Sequence, residues 1–168
     1  PSAGLSVDEL REKEAKLDEQ ERAYEAAMAE ELARQEKLDA LVGKYNAEVE
    51  ELHAFANEKT RYLDTKEKVD SLDTARLKLM HLDVFDKEHT STQARVAEAK
   101  KIHDEIEGLG YADHARVAEK HVSLEARWGD LSTKSAAKRE ALAADQRVQQ
   151  EKEDLRIAFA DKAKAYVK

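Results

Sequence analysis

Cysteine is absent from this chain, and the only proline is Pro1. Without cysteine there is no disulfide framework and no thiol nucleophile, which is the pattern of a reducing, intracellular setting. With no proline after the first residue and glycine only at positions 4, 43, 108, 110 and 129, almost nothing interrupts a helix. Aromatic residues make up 5% of the chain, so a large aromatic core is not available. Long apolar runs are missing too: none approaches the roughly 20 residues that span a bilayer, and no signal peptide is visible, so the chain is not transmembrane.

What remains is mostly Ala, Glu, Lys, Leu and Arg, with 39% charged residues in a length that fits one domain or slightly more. The net charge of −8 excludes a general nucleic-acid-binding role, because neutralising phosphates needs a basic face. At this charge density disorder competes with long helices, and the regular spacing of the apolar residues decides for helices. The opening PSAG reads as a remnant ahead of a helix start, and the chain as a fragment of a longer protein.

Ser6 followed by Glu9 predicts a capping box, and no breaker other than Gly43 follows until about Asp64. Two rows with a seven-residue period run through this stretch. One holds Leu10, Leu17, Tyr24, Leu38, Tyr45 and Leu52; the other holds Val7, Met28, Val42, Val49, Ala56 and Leu63. An unbroken phase predicts one helix about 85 Å long. Glu31 and Gln35 interrupt the seam without breaking the helix, which places a change of packing partner there.

DTKEKVDSLDTA (64–75) is a turn-rich connector in which Asp70 or Ser71 caps a second helix over 72–107. The seam of that helix is Leu82, Phe85, His89, Thr92, Val96, Ala99, His103 and Ile106. GLGYAD (108–113) ends it, with Asp113 as the expected cap of a third helix. The third seam is Val117, His121, Leu124, Trp128, Leu131, Ser135, Lys138 and Leu142. It resumes, after a slip of phase, as Val148, Leu155, Phe159 and Tyr166. Trp128, the only tryptophan, therefore points into the core and needs a partner for its indole N–H; Gly129 lies off the seam.

These patterns predict an all-α fold, a left-handed three-helix bundle with long helices extending into partial repeats at both ends. The complete unit is 34–147, with helices over about 34–64, 72–107 and 113–147. Residues 7–33 are the last-helix-like part of a preceding unit, and 148–168 extend toward a following one. The expected core includes Phe55, Leu82, Phe85, Val96, Leu124, Trp128 and Leu131.

Several segments, in order, carry a resemblance. LKLMHLDVFDKEHTSTQARV is similar to a second-helix pattern in which a His/acidic-x-Phe segment leads to an Arg-Val pair. IEGLGYADHARV resembles a Leu-x-Tyr-x-Asp loop. LEARWGDLSTKSAAKREAL resembles a third helix with a tryptophan, a leucine three residues on, and a basic pair before Glu-Ala-Leu. EKLDALVGKYNAEVEELHAF resembles a helix linking one repeat to the next. The unit resembles a spectrin repeat, and within that family those of the α-actinin rods. Phe55 stands where the family has a first-helix tryptophan, and AKAYVK replaces the Phe-x-x-Trp that opens a further repeat, as in a short rod.

The resemblance implies a structural role in the cytoplasm and cytoskeleton. The rod would form an antiparallel homodimer that spaces two actin-binding ends, reaching actin filaments through flanking domains. Charge gives a separate reason to expect that orientation. Residues 8–37 hold 11 acidic and 6 basic side chains, whereas residues 134–168 hold 9 basic and 6 acidic; an antiparallel pair sets these opposite ends together. The expected interface is Leu10, Leu17, Tyr24 and Met28 against Leu155, Phe159 and Tyr166 of the partner.

Alternatives are a monomeric spacer in a spectrin- or dystrophin-like array, or a scaffold binding adaptor proteins or, through Lys134, Lys138 and Arg139, a phosphoinositide headgroup. No enzyme is expected. The six histidines form no HExxH motif; His114 and His121, seven apart, share a face, but no third ligand is placed beside them. DTKEKVDSLDTA lacks the glycine and ligand alternation of a calcium loop. No cofactor site is expected, and there is no phosphate-cradling glycine loop.

Overall fold

The computed structural model describes residues 6–167; the PSAG opening lies outside them. Three α-helices make up the fold: α1 (Val7–Asp64), α2 (Leu72–Gly108) and α3 (His114–Val167). α1 opens as its sequence requires. The Ser6 hydroxyl accepts from the Glu9 N–H and the Glu9 carboxylate accepts from the Ser6 N–H, which satisfies two of the donors a helix start leaves free. Ser71 caps α2 by accepting from the Thr74 N–H, and Asp70 supports the cap by accepting from the Thr74 hydroxyl. At the start of α3 the Asp113 carbonyl, rather than its carboxylate, accepts from the Arg116 and Val117 N–H groups, while the His114 N–H donates to the Tyr111 carbonyl. Gly110 has φ 72°, the left-handed conformation that turns the chain after α2.

Tight loops set the three helices side by side in an up-down-up bundle. The core runs through Leu38, Tyr45, Leu52, Ala56 and Leu63 of α1 and through Leu82, Phe85, Val96, Ala99 and Ile106 of α2. In α3 the buried residues are Val117, His121, Leu124, Trp128, Leu131, Ser135, Lys138 and Leu142, all at one alternating three-four spacing. Phe55 differs from its expectation: it is only partly buried, at the flank of the seam. One face of its ring stacks on Trp128 at 5.8 Å between centroids, and the Lys59 ammonium lies 5.5 Å from its centre. The Trp128 indole N–H is buried without a hydrogen-bond partner, so the expected polar anchor is missing and the residue acts through its contact area.

α1 and α3 are longer than the bundle needs. Burial in α1 begins only at Arg34; from Ser6 to Ala33 every residue is exposed. In α3 it fades after Gln149. The two overhangs leave at opposite ends of the bundle, because α1 and α3 run the same way. Hydrogen bonds mark both exits: Arg34 Nη1 donates to the Leu109 carbonyl (2.6 Å) between α2 and α3, and Gln149 Nε2 donates to the Val69 carbonyl (3.4 Å) between α1 and α2.

Candidate interaction surface

The overhangs carry the apolar side chains that the fold leaves uncovered. On α1, Val7, Leu10, Leu17, Tyr24 and Met28 are exposed, and so is Leu32. On α3 the exposed set is Val148, Leu155, Phe159 and Tyr166, joined by Ile157 and Val167. Phe159 is 76% and Tyr166 91% accessible, values that a finished core does not leave on aromatic rings. Leu32, Ile157 and Val167 escaped the sequence reading because they lie off the seven-residue rows. A second set it missed is Leu77, Met80 and Val84, exposed along one side of α2; their three-four spacing was the available signal.

Charge on the overhangs is unequal. Residues 7–33 hold ten acidic and four basic side chains. Glu31, whose carboxylate is gripped by Arg34 at 2.6 and 2.9 Å, has its pKa lowered to about 2, first by that hydrogen bond. Residues 148–167 hold four of each sign. The positive balance expected at this end belongs largely to Lys134, Lys138 and Arg139, and the fold has already engaged these three. Lys134 bonds Asp64. Arg139 bonds Asp83 and Asp86, and the Ser135 hydroxyl donates to Asp86 as well. Lys138 is 7% exposed; its ammonium donates to the carbonyls of Tyr62 (2.8 Å) and Thr65 (2.9 Å) and to Glu67 Oε1 (3.3 Å), and lies 4.3 Å from the centre of the Tyr62 ring. Lys138 is buried and all three cations are paired within the fold, which argues against a headgroup site there and makes the complementarity between chain ends weaker than the raw count.

His114 and His121, which share a face by their spacing, are held by different partners. His114 Nδ1 donates to the Tyr111 carbonyl. His121 turns inward, where its Nδ1 lies 3.1 Å from the Tyr45 hydroxyl and its ring stacks on His103 of α2 at 5.5 Å. His103, Asp104 and Glu107 bring three ligand atoms within 4.8 Å of one another on α2, with both carboxylates exposed; Lys100 also reaches Asp104, which makes the group a solvated charge cluster. No helix among the described residues is long and apolar enough to cross a membrane.

A three-helix unit whose first and last helices run on past it has the form of a rod segment. The chain belongs to the spectrin repeat family: the family's model matches residues 40–144. It is similar to α-actinin A of Dictyostelium discoideum, 28% identical over 163 residues that cover 96% of this chain and 19% of that protein. Human α-actinin-1 is 24% identical and mouse α-actinin-4 23% identical, each over 97% of this chain and 18% of the relative. The chain thus spans about a fifth of the length of the relatives it matches. Together the family and the fold define a rod-like structural module.

Proposed function

We propose that this chain is the structural rod of an α-actinin-like actin cross-linker, which pairs antiparallel with a second copy and spaces two actin-binding ends in the cytoskeleton. Actin is reached through flanking domains. The observation that carries this reading is the pair of uncovered apolar seams at opposite ends of the bundle. Neither can close on the other within one chain, whereas a two-fold axis gives each a partner.

The seams also fit one register. In an antiparallel pair, facing residues have a constant sum of residue numbers, and Leu10 with Tyr166, Leu17 with Phe159 and Met28 with Val148 share one such sum. Tyr24 then falls within a turn of Leu155. Charge favours the same orientation by avoided repulsion: a parallel pair sets two strongly acidic α1 overhangs together, an antiparallel pair sets each against a balanced α3 overhang.

Sedimentation equilibrium in low salt tests the proposal. A dimer at micromolar concentration, weakened by Leu17→Asp, is the expected result. A monomer at that concentration, with overhangs that stay helical, would move the chain to a spacer within a longer array.

A further inference from the structure

One layer of the core holds groups that can exchange protons. Each helix contributes one: Tyr45 from α1, His103 from α2 and His121 from α3. Their ring centres lie 5.5 to 6.4 Å apart. Tyr45 is fully buried and His121 is 4% exposed. The layer sits about three turns inside the bundle from the end where the α1 overhang departs, near the Lys37–Glu105 ion pair.

The hydrogen bonds limit where protons can sit. Tyr45 has one hydroxyl hydrogen, and His121 Nδ1, at 3.1 Å, is its partner. When the hydroxyl donates, the neutral His121 ring carries its hydrogen on Nε2, which lies 3.3 Å from Glu125 Oε1 without hydrogen-bond alignment. In this arrangement an additional proton on His121 goes to Nδ1, the position Tyr45 donates to, and the buried hydroxyl hydrogen loses its acceptor. The His103 Nδ1 bonds the Asp104 carboxylate at 3.0 Å, and its Nε2 is buried without a hydrogen-bond partner.

We propose that this Tyr45–His103–His121 layer is a proton-sensitive joint, packed at neutral pH and loosened by mild acid, about three turns inside the end where the α1 overhang leaves the repeat. The groups facing His121 are Tyr45 from α1, His103 and Lys100 from α2, and Glu125 on α3 itself. Burial pulls the pKa of His121 below its usual value, and the charges of His103 and Lys100 act the same way, while Glu125 opposes them. A depressed histidine contributes stability that is complete above the unfolded value near 6.5 and is lost as the pH falls through the folded value. Burial also pushes the Tyr45 phenol up to about 12, so it stays a donor throughout this range. Pairing with a second copy is not required for any of this.

Two measurements test the joint. The first is thermal unfolding of the chain and of His121→Gln at fixed concentration, at pH 7.5 and pH 5.5, above the range where the carboxylates protonate. The unaltered chain is expected to lose a few degrees of Tm on acidification and the variant clearly less. An equal loss in both would overturn the proposal. His53 is also buried enough to have a lowered pKa, so only the difference between the two chains is diagnostic. The second measurement, which needs no variant to fold, follows the His121 Cε1–H resonance of the unaltered chain against pH. A midpoint below 6.5, with loss of amide protection first in the turns around 45, 103 and 121, is expected. A midpoint at or above 6.5, or uniform loss of protection, would refute the joint.

Discussion

Lys138 shows how a residue that a seam argument treats as a weak spot can hold a fold together. It occupies a core position of α3, yet its ammonium completes the end of α1 by taking the Tyr62 and Thr65 carbonyls, and it holds Glu67 in the connector. Glu67 is also bonded at 2.8 Å by Lys78, and its pKa is lowered, first by that bond. Removing Lys138 takes the Thr65 carbonyl's ammonium partner away and leaves the Tyr62 carbonyl with only the Thr65 N–H at 3.3 Å. Lys138→Met, which keeps the stem, should cost about 2–4 kcal/mol in chemical denaturation; a loss under about 0.5 kcal/mol would mean that water replaces the ammonium freely. Trp128 is the opposite kind of residue, with area and no polar partner. Trp128→Ala should cost roughly 3–5 kcal/mol. Trp128→Phe should be much milder, because it also removes a buried N–H that nothing accepts. The sequence showed that Lys138 and Trp128 face inward. Period alone could not show what they meet, since the Tyr62 carbonyl and the Phe55 ring come from another helix more than seventy residues away.

At the scale of the element, the helices were legible because each level of the sequence agrees with the others: caps at Ser6 and Ser71, long apolar periods with almost no helix breakers, and glycines at the α2–α3 turn. Gly110 is required there by its φ of 72°, and Gly110→Ala should cost about 1–2 kcal/mol. Gly43 and Gly129 are different. Both lie inside helices, and a Cβ on either would meet nothing within 4 Å. Gly43→Ala and Gly129→Ala should each stabilise the chain by about 1 kcal/mol, read as a higher denaturation midpoint. A destabilising result would show that one of these sites packs against another chain. Less legible was how charges divide between elements. The cations at 134–139 looked like a free positive end, but α3 spends them on α1, α2 and the connector. Net charge counts residues without knowing which are already paired, so the expected attraction between overhangs becomes mainly a penalty on the parallel arrangement. Phe55 was displaced for a related reason: a period names a face, whereas the depth of burial at its edge depends on how closely the neighbouring helix crosses.

For the whole molecule, orientation is the property that separates a cross-linker from a link in an array. Overhangs at opposite ends of one repeat allow two assemblies. A two-fold pair closes both seams and stops at two copies, whereas head-to-tail stacking leaves one seam open at each end and grows without limit. Because the chain has no cysteine, introduced ones report contacts without background. In the proposed antiparallel register Leu17 would face Phe159 of the other copy, so a chain carrying Leu17→Cys and Phe159→Cys should oxidise to a covalent dimer and no further. Leu17→Cys alone should stay monomeric on a denaturing gel, since the two Leu17 positions lie at opposite ends of the pair. Dimers from Leu17→Cys alone would mean parallel overhangs, and a ladder of oligomers from the double variant would mean stacking. Raising the salt from 50 to 500 mM screens exposed charge but leaves apolar contact intact. The proposed closed dimer should therefore survive it, if its orientation rests on seam register and charge only makes the parallel arrangement costlier.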